Sequence, residues 1–183
     1  MKKLTGIASI LAFSIANTVF INNVLATESL DIDIHAVTEQ GQGENLGKIT
    51  VEKTDYGLLF TPNLKDLTPG IHGFHIHDKP DCGPSTDPQG KITPAGAAGG
   101  HMDPEKTDKH LGPYNKDGHL GDLPALYVNA DGVAPYPVLA PKLSKLSQIK
   151  NRSIMIHAGG DNHSDNPAPL GGGGARMACG VIE

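Results

Sequence analysis

The chain has 183 residues, 38% of them hydrophobic and 4% aromatic, with 15 basic against 20 acidic side chains and a formal net charge of −5. That length suffices for one domain with a real hydrophobic core. The acidic balance argues against nucleic acid and anionic lipid as partners, and it disfavours an anionic substrate unless positive charge is focused at a local site.

The first segment reads as a secretory leader. Lys2 and Lys3 give a basic start, Gly6 to Ala16 is mostly apolar, and Val24-Leu25-Ala26 offers a cleavage site. Asn17, Thr18, Asn22 and Asn23 interrupt the apolar stretch and argue against a membrane anchor. Residues 1–26 are therefore expected to be a signal peptide, with residues 27–183 as one exported domain, free of the membrane after cleavage. The periplasm is the expected destination and secretion the alternative. Loss of Lys2 and Lys3 takes the formal charge from −5 to −7.

Short β-rich segments follow. Leu30 to Val37 begins in strict alternation; Gly47 to Glu52 and Tyr56 to Phe60 are spaced like a hairpin. Ile71 to His77, Ala125 to Asn129, Arg152 to His157 and Met177 to Ile182 are further strands, and Asp131-Gly132 signals a turn. Only Lys142 to Lys150 offers a short turn or helix. Short strands with Gly- and Pro-rich connections imply an all-β antiparallel sandwich or barrel.

Asp78 to Pro124 breaks the pattern: it is long, polar and rich in Pro, Gly, Asp and Lys. A structureless loop of this length is disordered or functional, and a bound metal would supply the ordering energy that a missing core cannot. Cys82 and Cys179 are the only cysteines, and in an exported chain such a pair reads most simply as one disulfide.

The histidines carry the chemistry. Residues two apart in a strand share a face, so His75 and His77 project together while His72 points the other way. On its own a His-x-His pair reads more readily as an exposed or core-satisfied pair than as a ligand pair. His101, His110 and His119 then recur at nine-residue intervals, with Asp122 three residues on; three nitrogens and a carboxylate complete a tetrahedral zinc shell. With His157 there are six imidazoles, more than one ordinary site uses.

The sequence resembles the copper-zinc superoxide dismutases, especially the exported bacterial branch. The carrying segments are Gly70-Ile71-His72-Gly73-Phe74-His75-Ile76-His77, Gly99-Gly100-His101-Met102-Asp103-Pro104, His119-Leu120-Gly121-Asp122-Leu123-Pro124, Met155-Ile156-His157-Ala158-Gly159-Gly160-Asp161 and Gly174 to Ile182. The resemblance spans almost all of the mature chain. It implies a Greek-key antiparallel sandwich or barrel of about eight strands with long metal-binding and disulfide loops. It implies one copper on His75, His77, His101 and His157, and one zinc on His101, His110, His119 and Asp122, with His101 bridging as an imidazolate. Four imidazoles suit Cu(II), and three His with one Asp suit zinc.

By the same resemblance Asp161 accepts hydrogen bonds from His75 and His110, His72 supports the cluster without ligating, and Arg176 draws a small anion to copper. Lys91 is an outer contributor to that positive field, or simply a solvated lysine. His35 and His163 match no ligand. Met102 departs from relatives, where an aromatic is common after the bridging histidine, and Gly171 to Gly174 reads as a tight loop against the site. The implied reaction is dismutation of superoxide to oxygen and hydrogen peroxide: copper cycles, and His101 takes a proton when its bond to copper opens. The alternative is a copper- or zinc-binding storage or delivery module, which needs neither Arg176 nor a bridging imidazole. Relatives pair through different surfaces, so a homodimer stays open.

Overall fold

A computed structural model describes residues 28–183; the expected leader, residues 1–26, lies outside the described residues. Among the described residues eleven strands form in chain order: β1 Ser29–Thr38, β2 Gly41–Thr54, β3 Gly57–Leu64, β4 Gly70–His72, β5 Phe74–His77, β6 Ser85–Thr86, β7 Ile92–Thr93, β8 Leu126–Val128, β9 Val138–Ala140, β10 Arg152–His157 and β11 Arg176–Ile182. Among the described residues the only helices are three short 3-10 turns, at Gly96–Ala98, Leu146–Gln148 and Pro169–Gly172, and no helix is long and apolar enough to cross a membrane.

A seven-stranded sheet runs β5-β10-β11-β1-β2-β3-β9, and β4 pairs with β8. β4 and β5 are separated only by Gly73, so together they act as one interrupted strand. Counting them once and setting aside the small β6–β7 hairpin leaves eight strands. After the β1-β2-β3 meander the chain crosses to the far edge, where β5 pairs with β10, and returns to place β9 beside β3. This is the Greek-key connection, and the curled sheet is antiparallel throughout.

Alternation builds the core. In β1, Ile32 and Ile34 are buried while Asp31 and Asp33 are exposed. Ile49, Val51, Leu58, Phe60, Phe74, Ile76, Ile154 and Ile156 join them in one cluster. Phe60 and Phe74 meet edge to face at 5.8 Å, the favoured quadrupolar arrangement. β5 is buried on both faces, with Phe74 and Ile76 in the core and His75 and His77 beneath the long loop.

The strands run longer than the apolar pattern indicates. β2 extends from Gly41 to Thr54 and β3 to Leu64, because ladder pairing continues through polar residues such as Lys48, Thr50 and Asn63. β9 also forms, on only three residues, by pairing with β3. The Lys142–Lys150 segment makes a single 3-10 turn. At Asp131-Gly132 the turn closes through the Gly132 N–H donating to Asn129 O at 3.1 Å, with Gly132 at φ +76°.

The long loop is ordered by backbone bonds and by the disulfide. Cys82 and Cys179 are bonded, with Cα atoms 5.8 Å apart. The pair packs with Met155, Ala95 and Ala98 in a second small core. Three segments are joined by a closed ring of backbone bonds: Ile76 N–H to Gly121 O (2.9 Å), Gly121 N–H to Met102 O (2.9 Å) and Met102 N–H to Ile76 O (2.8 Å). A side chain at Gly121 would meet Ile76 O at 2.3 Å, so glycine is what permits this approach. The ring fixes His75, His77, His101, His119 and Asp122 relative to one another. Met102, on that ring, fills the core at 1% exposure.

Candidate metal centre

His75 and His77 project from β5 and His157 ends β10, while His101, His110, His119 and Asp122 come from the loop. All seven are buried. Ligand atoms of His75, His77, His101 and His157 lie within 4.8 Å of one another, as do those of His75, His101, His110 and Asp122. Asp122 Oδ1 is a hub: the Nδ1 atoms of His101, His110 and His119 lie 3.0, 3.1 and 3.4 Å from it.

The ring nitrogens divide into two classes. His75 Nε2 donates to Asp161 Oδ2 (2.7 Å), His77 Nδ1 to Gly99 O (2.9 Å), His157 Nδ1 to Gly174 O (3.2 Å) and His110 Nε2 to Asp161 Oδ1 (2.8 Å). The other nitrogens, His75 Nδ1, His77 Nε2, His101 Nε2, His157 Nε2, His110 Nδ1 and His119 Nδ1, are buried without a hydrogen-bond partner. Buried polar atoms are normally satisfied, so these six orphaned nitrogens are candidate ligand atoms; His163 Nε2 and Arg152 Nε are also buried without a partner, but neither lies in the two groups of clustered ligand atoms. His75 has one free nitrogen because Asp161 holds the other, so it can serve only one ion.

The donor set fits two ions. Four zinc ligands at about 2.0–2.1 Å in a tetrahedron lie roughly 3.3 Å apart, and the separations around Asp122 Oδ1 are 3.0–3.4 Å. His110 Nδ1 is at that distance without hydrogen-bond alignment, as two ligands of one ion would be. His101 faces both ways, with Nδ1 at Asp122 and Nε2 orphaned on the side of His75, His77 and His157. Its ring stacks on that of His75 at 3.9 Å.

Burial sets the protonation. Desolvation and the neighbouring imidazoles lower His75 to about 3, and desolvation lowers His157 to about 4. Burial also depresses His77 and His101. These imidazoles are neutral and available as ligands at neutral pH. For His110 burial works against charge, but the carboxylates of Asp122 and Asp161 outweigh it and raise the group to about 9. Burial would raise both carboxyls, yet hydrogen bonds from the histidines hold Asp122 and Asp161 well below the usual carboxylate range.

Supporting groups surround this set. The two oxygens of Asp161 join His75 to His110, and Oδ1 also accepts from the His163 N–H at 2.7 Å. The ring nitrogens of His72 face the carbonyls of His157 (2.8 Å) and Thr68 (2.7 Å), tying two strands together beneath the site. Arg176 donates to the carbonyls of Ala95 and Gly99, and Gly99 O also receives His77 Nδ1. A cleft of about 370 Å³ is lined by Lys91, Pro94, Gly174 and Arg176. His35 contacts Gly43 O at 3.3 Å, on the strands away from this cluster.

Sequence reasoning passes over two groups that the fold brings in. Asp165 accepts the backbone N–H of His110 at 2.9 Å, and Lys142 reaches the loop from beyond β9. Their partners are 55 and 23 residues away, so no local spacing marks them.

A family model described as copper/zinc superoxide dismutase matches residues 45–182. The superoxide dismutase [Cu-Zn] 1 of Salmonella typhimurium is 60% identical over 161 residues, covering 88% of this chain and 90% of that protein. The superoxide dismutase [Cu-Zn] of Neisseria meningitidis serogroup A is 46% identical over 185 residues, covering 100% of this chain and 99% of its own. The solved structure of the Cu/Zn superoxide dismutase from Brucella abortus superposes with a TM-score of 0.83 at 52% identity, covering 85% of this chain and 100% of that one.

Proposed function

The chain belongs to the copper/zinc superoxide dismutase family, and on that premise we propose a division of labour among its buried histidines. His75, His77, His101 and His157 hold copper; His101, His110, His119 and Asp122 hold zinc; His101 is shared. The observation that carries this is that each of these six histidines has a buried ring nitrogen without a hydrogen-bond partner, those of His75, His77, His101 and His157 grouped together and those of His110 and His119 beside Asp122.

The enzyme converts superoxide to oxygen and hydrogen peroxide, with copper and zinc as cofactors. Copper supplies the one-electron couple, and zinc, which has no accessible redox change, supplies fixed charge and geometry. Asp122 Oδ1 holds the His101 ring through Nδ1 at 3.0 Å, which would leave Nε2 as the available atom of a fixed imidazole. Nε2 then holds a proton and passes it to the reduced substrate. Asp161 fixes the rings of His75 and His110 together, which ties the orientation of one ligand set to the other.

Arg176 receives the anion. Its guanidinium is held by two carbonyls rather than by a carboxylate, so its charge is not neutralised. In a chain of charge −5, that charge must be focused locally to attract an anion. Lys91 lines the same cleft, and its backbone is set by a turn in which Asp87 Oδ1 accepts its N–H at 2.9 Å. We assign it to the outer part of the steering field. Lys91→Ala is expected to lower kcat/KM a few-fold at low salt and much less at high salt; equal rates at both would remove it from the field.

Metal content and superoxide decay, measured on the same purified sample, test the reading. About one copper and one zinc per chain with fast decay are expected, and full copper loading without decay would favour storage or delivery instead. Export to the periplasm, with cleavage after Ala26, is supported by the basic-apolar leader and the disulfide; cell fractionation and N-terminal sequencing of the mature chain test it. Residues 27–183 then constitute the dismutase domain. Sedimentation of the loaded protein decides between monomer and homodimer.

A further inference from the structure

Lys142 follows β9 and Pro141, where the chain is pinned to the barrel. Leu143 N–H donates to Ala140 O at 3.2 Å, Leu143 O accepts Leu58 N–H at 2.9 Å, and the Leu143 side chain is fully buried. From this fixed base the ammonium reaches into the long loop. It donates to His119 O at 2.5 Å and to Gly112 O at 2.9 Å. These carbonyls bracket the turn at residues 113–118.

Both attachment points belong to the site. Gly112 N–H donates to Asp122 Oδ2 at 3.2 Å, so the same residue that Lys142 holds by its carbonyl also holds the carboxylate hub. His119 N–H donates to Lys109 O at 2.9 Å, which sets the peptide before the ring, while Lys142 sets the one after it. His119 Nδ1 lies 3.4 Å from Asp122 Oδ1, the longest of the three histidine contacts to that oxygen. No hydrogen bond to its side chain is present among the described residues, so its orientation depends on its backbone.

We propose that Lys142 is a positioning residue for the zinc side of the centre, a barrel-borne ammonium that clamps the carbonyls of His119 and Gly112 and so aims His119 at the ion. An ammonium suits this task because its N–H bonds are charge-assisted and rotate to reach two carbonyls from different parts of the loop. The inference rests on the assignment of His119 to zinc.

The test uses the full disulfide-bonded protein loaded with zinc, with release to a chromophoric chelator as the readout. K142M is expected to release zinc about 10–100-fold faster than the parent, in line with the loss of other groups that orient metal ligands. K142R, which keeps charge and donors, is expected to restore most of the difference. K142Q is the second variant should K142M not fold, and it too is expected to release zinc faster. Unfolding of the metal-free forms separates positioning from bulk stability: release must accelerate by more than the loss of global stability accounts for. A release rate in K142M or K142Q equal to that of the parent, or faster only in proportion to lost stability, overturns the proposal if H119A still loses zinc rapidly. An H119A protein that retains zinc as tightly as the parent overturns the underlying assignment instead.

Discussion

Arg176 is the cross-strand partner of His157, on the far side of a register shift in the β10–β11 ladder. Upstream of the shift Ile156 faces Ala178; beyond it His157 faces Arg176, and Met177 is the extra residue. A bulge of this kind re-aims side chains at the end of a strand. Here it puts the His157 imidazole, a proposed copper ligand, and the Arg176 guanidinium, proposed to receive the anion, at the same height of the sheet.

That pairing separates two kinds of loss. His157→Ala removes a proposed ligand and is expected to abolish superoxide decay together with normal copper retention. Arg176→Ala keeps the ligands and is expected to lower kcat/KM by roughly tenfold, with a flatter dependence on ionic strength. Decay rates at low and high salt, with copper content measured alongside, check both. An Arg176→Ala enzyme with the parent's rate and salt slope would remove the guanidinium from substrate capture.

The disulfide anchors the loop whose carbonyls hold that guanidinium. Cys82 and Cys179 are 97 residues apart in sequence, and Arg176 lies three residues before Cys179. Cys82→Ser is expected to destabilise the chain by roughly 4–5 kcal/mol in the chain-entropy account, less if the reduced unfolded state keeps structure. Activity at full metal loading should fall as well, because Ala95 and Gly99 lose their fixed position against Arg176. Denaturant unfolding and kinetics on the loaded variant measure the two effects.

Gly171 lies against the carboxylate that joins the two ligand sets. A Cβ there would sit 2.0 Å from Asp161 Oδ1 and 2.7 Å from His110 Nε2, and the residue is at φ +72°. Gly171→Ala therefore has to separate Asp161 from His110. The expected result is about 10–100-fold weaker zinc binding, measured by competition with a chelator. Gly172→Ala at φ +78° is the control, since its nearest contact would be Ala168 Cβ at 3.7 Å.

Acid and base both destabilise the metal-free protein, through different histidines. His75 and His157 have folded values of about 3 and about 4, below the ordinary 6.5, so the unfolded chain binds protons first as pH falls. Their contribution is complete above about 6.5 and is lost as pH drops from there towards 4. His110, raised to about 9, contributes below 6.5 and loses that contribution as pH rises through 9. Stability of the metal-free, disulfide-bonded form should peak near pH 6.5 and fall more steeply on the acid side, where several depressed histidines act together. Urea midpoints at pH 5, 6.5 and 8.5 check this; a flat profile from 5 to 6.5 would contradict it.

The strand alternation of Leu30 to Val37, the His75–His77 pair, the nine-residue spacing of His101, His110 and His119, and the cysteine pair are all local or compositional signals; the β class was legible from them, and with the family resemblance they nominated the candidate ligands. It could not show which nitrogen of each ring is free, because that depends on carbonyls and carboxylates from distant segments: Gly99 for His77, Gly174 for His157, Asp161 for both His75 and His110. Nor could it place Lys142 and Asp165, whose partners in the loop are remote in sequence. Residue type states what a side chain can donate or accept. Which of those capacities are already spent depends on contacts made only in the folded chain, and the proposed centre rests on the nitrogens left unspent where the ligand atoms cluster.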